Sequence, residues 1–334
     1  MSKKYKLKKQ IKKRIIMIVS LLSMIIVIIG GIYIYNNYVL SSDDTEDDLV
    51  FDEDAGIVQK TNELDGDYQI LAVGNSALYS AFNPLQLWHE QGYTSFVMGA
   101  PKQNTKLSYH MLKEVLTVQK PQLLILETNA FFDDRVEIED QGYTYTAIKR
   151  TYPLFMKSQR WNDIKNEKYV QDKNYKVRME LLKGYYFEKT TVPYTNGFSY
   201  MKKTNQEKPF GTFTKQYLPQ ILELAKEMNC HVLLIGFPSQ TAWDYSKYNT
   251  VKEYAQNNNF SFIDFNVNQY DTNFDWKTDS RDGGNHLNYS GATKMTKYIG
   301  GYINKHYNLK NHLNEKSYQQ WNQDYNRFIQ EMVK

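Results

Sequence analysis

The sequence predicts an α/β fold: a doubly wound, flavodoxin-like parallel sheet of about five strands wrapped by helices. Two observations carry that expectation. From Tyr68 onward, short buried-strand patterns alternate with amphipathic stretches of helical period, the rhythm of a parallel sheet with crossover helices. About 270 residues follow the N-terminal region, enough for one such domain with an insertion.

Taken in order, strands are expected at residues 69–73, 95–98, 122–127, 231–237 and 261–265. One helix should begin at the Asn83-Pro84 pair, a cap followed by a first-turn proline. Others should cover 105–118, 212–228 and 245–257, and a last core helix should run from Ser290, as its cap, to about His306. Two regions break the rhythm. Residues 131–210 form an insertion rich in tyrosine and in Lys/Arg, readable as a lid, a packing element or a surface for sugars and anionic polymer. Residues 311–334 carry Tyr318, Trp321, Tyr325 and Phe328 three to four apart, the pattern of a terminal amphipathic helix on the 67–310 body.

The N-terminal region obeys different rules. Residues 15–35 contain no charge and are dominated by Ile, Leu, Val and Met, long enough for a hydrocarbon core of roughly 30 Å. Residues 1–14 before them are strongly basic, whereas the 36–66 stretch after them is acidic and lacks apolar periodicity. The positive-inside rule therefore predicts a single-pass membrane anchor with a cytoplasmic N-terminus, an acidic stalk and an extracellular body. A cleaved signal peptide is the competing reading; the length of the apolar run and the lack of a small-x-small site speak against it.

Charge and composition also exclude. The formal net charge is +4, but the excess sits in the basic N-terminus and the remainder is slightly acidic, so nucleic acid is not an expected partner. The single cysteine, Cys230, can form no internal disulfide and reads as a small core residue. No metal-ligand spacing and no glycine-rich phosphate loop is present, so neither a metal nor another cofactor is expected.

The chemistry is expected where strands end. Gly74-Asn75-Ser76 follows the first strand and puts a hydroxyl at its C-terminal edge; a helix-capping serine is the bland alternative. Far away, Asp279-Ser-Arg-Asp282-Gly283-Gly284-Asn285-His286 forms a small, polar loop. A serine nucleophile needs an imidazole to take its proton and a carboxylate to orient that imidazole. The loop supplies both, with Asp282 favoured over Asp279 because the glycines can bend the chain between it and His286. The other five histidines sit in or beside ordinary helix and strand patterns.

These residues resemble the first and last blocks of the SGNH (GDSL-like) hydrolases: Gly74-Asn75-Ser76 opens, and Asp282 with His286-Leu287-Asn288 and Gly291-Ala292 closes. The resemblance implies a Ser76-His286-Asp282 triad and an oxyanion hole built from the Ser76 N–H, Gly99 after the second strand and Asn129 after the third. The departures are Asn75 in place of the usual aspartate, Glu127 in place of a glycine, Ala130 in place of an aspartate, and an acid four rather than three residues before the histidine. With the N-terminal anchor, the pattern is similar to the tethered members that work beside multi-span membrane-bound O-acyltransferases (MBOAT), such as D-alanyl-lipoteichoic acid transfer and polysaccharide O-acetylation proteins. That resemblance implies an SGNH-type serine acyltransferase or esterase acting in O-acetylation or D-alanylation of a bacterial cell-surface polysaccharide or teichoic acid. A cell-wall glycan esterase or deacetylase, and an inert binding scaffold, are the alternatives.

Overall fold

A computed structural model of the chain describes residues 68–134, 178, 181–267 and 270–334. The expected span at 15–35, the stalk at 36–66 and most of the insertion lie outside the described residues. Among the described residues, no helix is long and apolar enough to cross a membrane.

Five strands form one parallel sheet: β1 (Ile70–Gly74), β2 (Ser95–Gly99), β3 (Leu123–Glu127), β4 (His231–Gly236) and β5 (Ser261–Asp264), in the order β2-β1-β3-β4-β5. The order reverses at β1, so the crossovers leave on opposite faces and both faces are covered. Strand alternation sorts the apolar side chains accordingly. Leu71, Val73, Leu124, Leu126 and Leu234 point to one face. There they meet α3 (Thr105–Val115), α4 (Thr212–Glu227) and α5 (Tyr245–Asn257). Ile70, Ala72, Ile125, Leu233 and Ile263 point to the other. That face is covered by α1 (Ser76–Ala81), α2 (Pro84–Gln91) and α6 (Tyr289–His306), through Leu78, Leu87, Met295, Ile299 and Ile303. Strands covered on both sides must be apolar throughout, which is why they read as unbroken hydrophobic runs.

The five expected strands are all present, each displaced by at most a residue or two at its ends. The expected α2 start is met: the Asn83 side chain accepts from the Leu85 and Gln86 N–H groups and Pro84 occupies the first turn. Two expectations are corrected. The short helix α1 was not foreseen, because six residues are too few to show a helical period. The last core helix is capped by Asn288 rather than by Ser290: the Asn288 side chain accepts from the Gly291 N–H at 3.1 Å, and the Ser290 hydroxyl donates to Asp279 at 2.7 Å.

The C-terminal segment folds as α7 (Gln319–Phe328), continued by a wider turn over Ile329–Val333. Its aromatic stripe packs on α2, with Trp321 and Tyr318 against Trp88 and Tyr325 stacked on His89. The described part of the insertion is a strap along the molecule. Lys183 accepts from the Val97 N–H at the outer edge of β2, Tyr186 donates its N–H to Tyr79, and Val192 and Tyr194 bond to Ser280 and Trp276. For this stretch the packing reading of the insertion is the one observed.

Ile299 is fully buried between α6 and the sheet. Ile299→Ala should therefore lower unfolding free energy by about 2–5 kcal/mol, read as a drop in the urea midpoint with an unchanged m-value.

Candidate active site

Ser76 stands where β1 ends. Val73 and Gly74 pair with Met98 and Gly99 on one side, and Val73 pairs with Leu126 on the other. The chain then turns sharply at Asn75, whose side chain accepts from the Ala77 N–H at 2.9 Å and caps α1. Gly74 is required by a close approach: a Cβ there would lie 2.4 Å from the Glu127 Cβ on β3.

His286 is brought to Ser76 from 210 residues away, with Nε2 at 2.8 Å from the Ser76 Oγ. Its Nδ1 lies 2.5 Å from Asp282 Oδ2, while Asp282 Oδ1 accepts the backbone N–H groups of His286 and Asn285 at 2.8 and 3.1 Å. Gly283 and Gly284, at φ +79° and +107°, make the turn that lets the carboxylate reach back to the ring. Burial raises the Asp282 carboxyl, but the hydrogen bonds from the His286 ring and backbone outweigh it and hold it below its ordinary value of 3.8. The Asn285 side-chain nitrogen lies 3.2 Å from the same Nδ1. An Nδ1–H directed at Asp282 cannot accept from it, so the carboxylate contact fixes the tautomer and leaves the Nε2 lone pair facing the serine hydroxyl.

Asp279 has another task. Fully buried, it accepts both contacts of the Lys294 ammonium, at 2.9 and 2.7 Å, the Ser290 hydroxyl, and the Asp275 N–H at 2.7 Å. Its oxygens pin the loop to the first turn of α6. The strap holds the loop from the other side, with the Val192 N–H donating to Ser280 and the Gly283 N–H donating to Val192.

Of the residues expected in the oxyanion hole, Asn129 and Ser76 line one cavity with His286, of about 750 Å³. Asn129 sits in the 3-10 turn Thr128–Phe132 that leaves β3, nearly buried. Gly99 is not brought to this cavity. It ends β2 packed against Tyr79, its carbonyl accepts from Arg178, and Val97, two residues earlier, bonds outward to Lys183. Backbone groups alternate along a strand, so Gly99 shares the outward direction of Val97, away from Ser76.

The sequence reading missed other wall residues. Ser239 follows β4 and donates to the Asn285 side chain at 2.7 Å; its own N–H is held by Asn266 at 3.0 Å. The rule that placed Ser76 at a strand's C-terminal end could have found Ser239 as well. Lys247, from the first turn of α5, lies over the Phe132 ring at 5.2 Å and donates to the Ala242 carbonyl. Lys102, at φ +56°, lines the wall beyond Ser76. No local pattern marks either lysine. Among the described residues, no cluster of His, Cys, Asp and Glu could hold a metal ion.

No protein-family model and no curated protein matches the chain. Solved structures similar to it include a GDSL-like lipase from Bacteroides thetaiotaomicron, at 13% identity over 75% of this chain and 97% of that one, TM-score 0.40. A protein described as an acylhydrolase from Bacteroides fragilis gives 16% identity over 74% and 94%, TM-score 0.39. One described as a lipolytic protein of the G-D-S-L family, from Desulfitobacterium hafniense, gives 12% over 70% and 98%, TM-score 0.38. At these scores the likeness says nothing of activity.

The two aspartates of the loop should separate by what their loss does. Asp279→Ala strands the Lys294 charge and should cost about 3–5 kcal/mol of stability in urea unfolding. Asp282→Ala should leave the unfolding midpoint nearly unchanged and instead lower ester turnover by roughly 10⁴, the scale for losing a histidine-orienting carboxylate.

Proposed function

We propose that the chain is a serine acyl-transfer enzyme in which Ser76 is the nucleophile, His286 its general base and Asp282 the orienting acid. The observation that carries this reading is the unbroken relay from Ser76 Oγ through both nitrogens of His286 to Asp282, opening on the cavity. An inert scaffold has no use for a hydroxyl, an imidazole and a carboxylate aligned at 2.8 and 2.5 Å.

In this reading Ser76 Oγ attacks an ester carbonyl as its proton passes to Nε2, with the imidazolium stabilised by Asp282. The Ser76 N–H and the Asn129 side-chain amide receive the oxyanion. His286 then returns the proton to the departing alcohol, leaving an acyl group on Ser76. Water would complete hydrolysis, and a sugar or polyol hydroxyl would complete transfer. The sequence favours transfer. A charge-free run at 15–35 behind a basic N-terminus would hold the site at the membrane face, raising the effective concentration of a membrane-delivered acyl donor. We therefore infer O-acylation of an exported cell-surface polymer, with an MBOAT-type membrane protein as the donor's source.

Full-length protein in detergent should hydrolyse small activated esters and be labelled at Ser76 by an organophosphonate. Ser76→Ala and His286→Ala should each abolish turnover, and the double variant should lose little more. Asn129→Ala should lower kcat by roughly 10²–10³ with KM nearly unchanged. Substantial turnover by Ser76→Ala would end the mechanism. In cells, Ser76→Ala should reduce polymer acylation; a rise would make the protein a deacylase.

A further inference from the structure

The reaction above makes no use of a buried carboxylate that lies between Gly74 and Asn129. Glu127 ends β3 and is 1% exposed. Its Oε1 accepts the Asn129 N–H at 2.5 Å and its Oε2 accepts the Ala130 N–H at 3.2 Å. The Asn75 N–H faces the same carboxylate and favours its ionised form. Its stem fills the space that Gly74 leaves, where a Cβ would be 2.4 Å away. One side chain thus packs on Gly74 and holds the turn that carries Asn129.

We propose that Glu127 is the positioning residue that sets the nucleophile and the oxyanion donor at their working separation, by packing its stem on Gly74 and holding the Asn129 turn on its carboxylate. This rests on the roles assigned above to Ser76 and Asn129. A carboxylate suits the place for a stereochemical reason: two N–H donors bond to it, one at each oxygen, and a third faces it. An amide of the same shape offers one accepting oxygen and turns an NH₂ toward at least one N–H. A neutral hydrophobic residue would leave the two bonded donors without partners. Oxyanion stabilisation depends on donors preorganised to within a fraction of an ångström, so slack in this clamp reaches the transition state without touching the substrate.

The charge state of Glu127 makes the clamp visible in solution. Burial pushes its carboxyl up to about 7, against the pull of the three N–H groups and of Lys247 on α5, the charged group whose field reaches it. Protonation below that pH converts one accepting oxygen into a donor and loosens the clamp. In the wild type, log kcat should therefore drop by at least one unit in a step as Glu127 takes up its proton, on top of any fall that Glu127→Gln also shows.

The test uses full-length protein in detergent and an activated ester, with active sites counted by organophosphonate labelling of Ser76. Glu127→Gln should lower kcat per labelled serine at least ten-fold, part of the roughly 10²–10³ that losing a donor costs, with KM unchanged and without the extra acid-side step. Misfolding would lower the count of labelled serines and leave kcat per serine intact. Unchanged kcat per labelled serine in Glu127→Gln overturns the proposal, as does a wild-type acid limb that matches the variant's. If Glu127→Gln does not fold, Glu127→Asp, which keeps both accepting oxygens on a shorter stem, takes its place, with the same loss expected and unchanged kcat per labelled serine overturning the proposal. A fully active Ser76→Ala would instead overturn the mechanism beneath it.

Discussion

The pairing of β1 with β3 is the constraint on which the site depends. Parallel ladders fix strand ends at a common level, and Val73 opposite Leu126 makes both strands release their chains at the same edge. Ser76 and Asn129 therefore emerge side by side although 53 positions separate them in the chain. The close packing of Gly74 on the Glu127 stem adds a second point of registration between the same strands. A slip of one residue in that ladder would turn every side chain of β1 to the opposite face and destroy both cores at once.

The histidine arrives by a different principle. No strand carries it; its loop is held by polar anchors on three sides. Asp279 ties the loop to Lys294 and Ser290 of α6, the strap pairs with Ser280 and Gly283, and Ser239 with Asn285 attaches it to the end of β4. A buried carboxylate such as Asp279 is tolerated only because an ammonium and hydrogen-bond donors meet its oxygens. The loop's own glycines then allow the tight turn in which Asp282 faces the ring. Rigidity in a loop of this composition has to be imported, and the neighbouring elements supply it.

Three carboxylates around the site have distinct duties set by their surroundings. Asp282 is half-exposed and hydrogen-bonded to an imidazole, so it stays ionised well into acid. Asp279 is enclosed with a lysine and serves as a fastening. Glu127 is enclosed and bonded to backbone N–H groups, with the field of Lys247 also reaching it, and burial lifts its carboxyl toward neutrality. Residue type does not distinguish these cases.

The sequence by itself determined the parts of the protein that local physics controls. Strand and helix positions followed from periodicity, since a sheet buried on both faces demands continuous apolar runs and its covering helices demand a 3.6-residue stripe. Ser76, Asp282 and His286, which the structure brings together, were singled out because chemistry in such a sheet is confined to strand ends and their loops, whereas Asn129 came from the family resemblance. Gly99 was carried over from a family pattern, and strand alternation turned it to the wrong edge, a direction that the residue's neighbours in sequence do not reveal. Ser290 looked like a cap, but Asp279 competes for its hydroxyl and Asn288 takes the role. Lys102, Lys247, the strap over the histidine loop and the packing of the Glu127 stem into the space left by Gly74 belong to tertiary structure alone. They depend on which elements the sheet order makes neighbours, and hydrogen-bonding partners scores of residues apart leave no periodic trace in the chain.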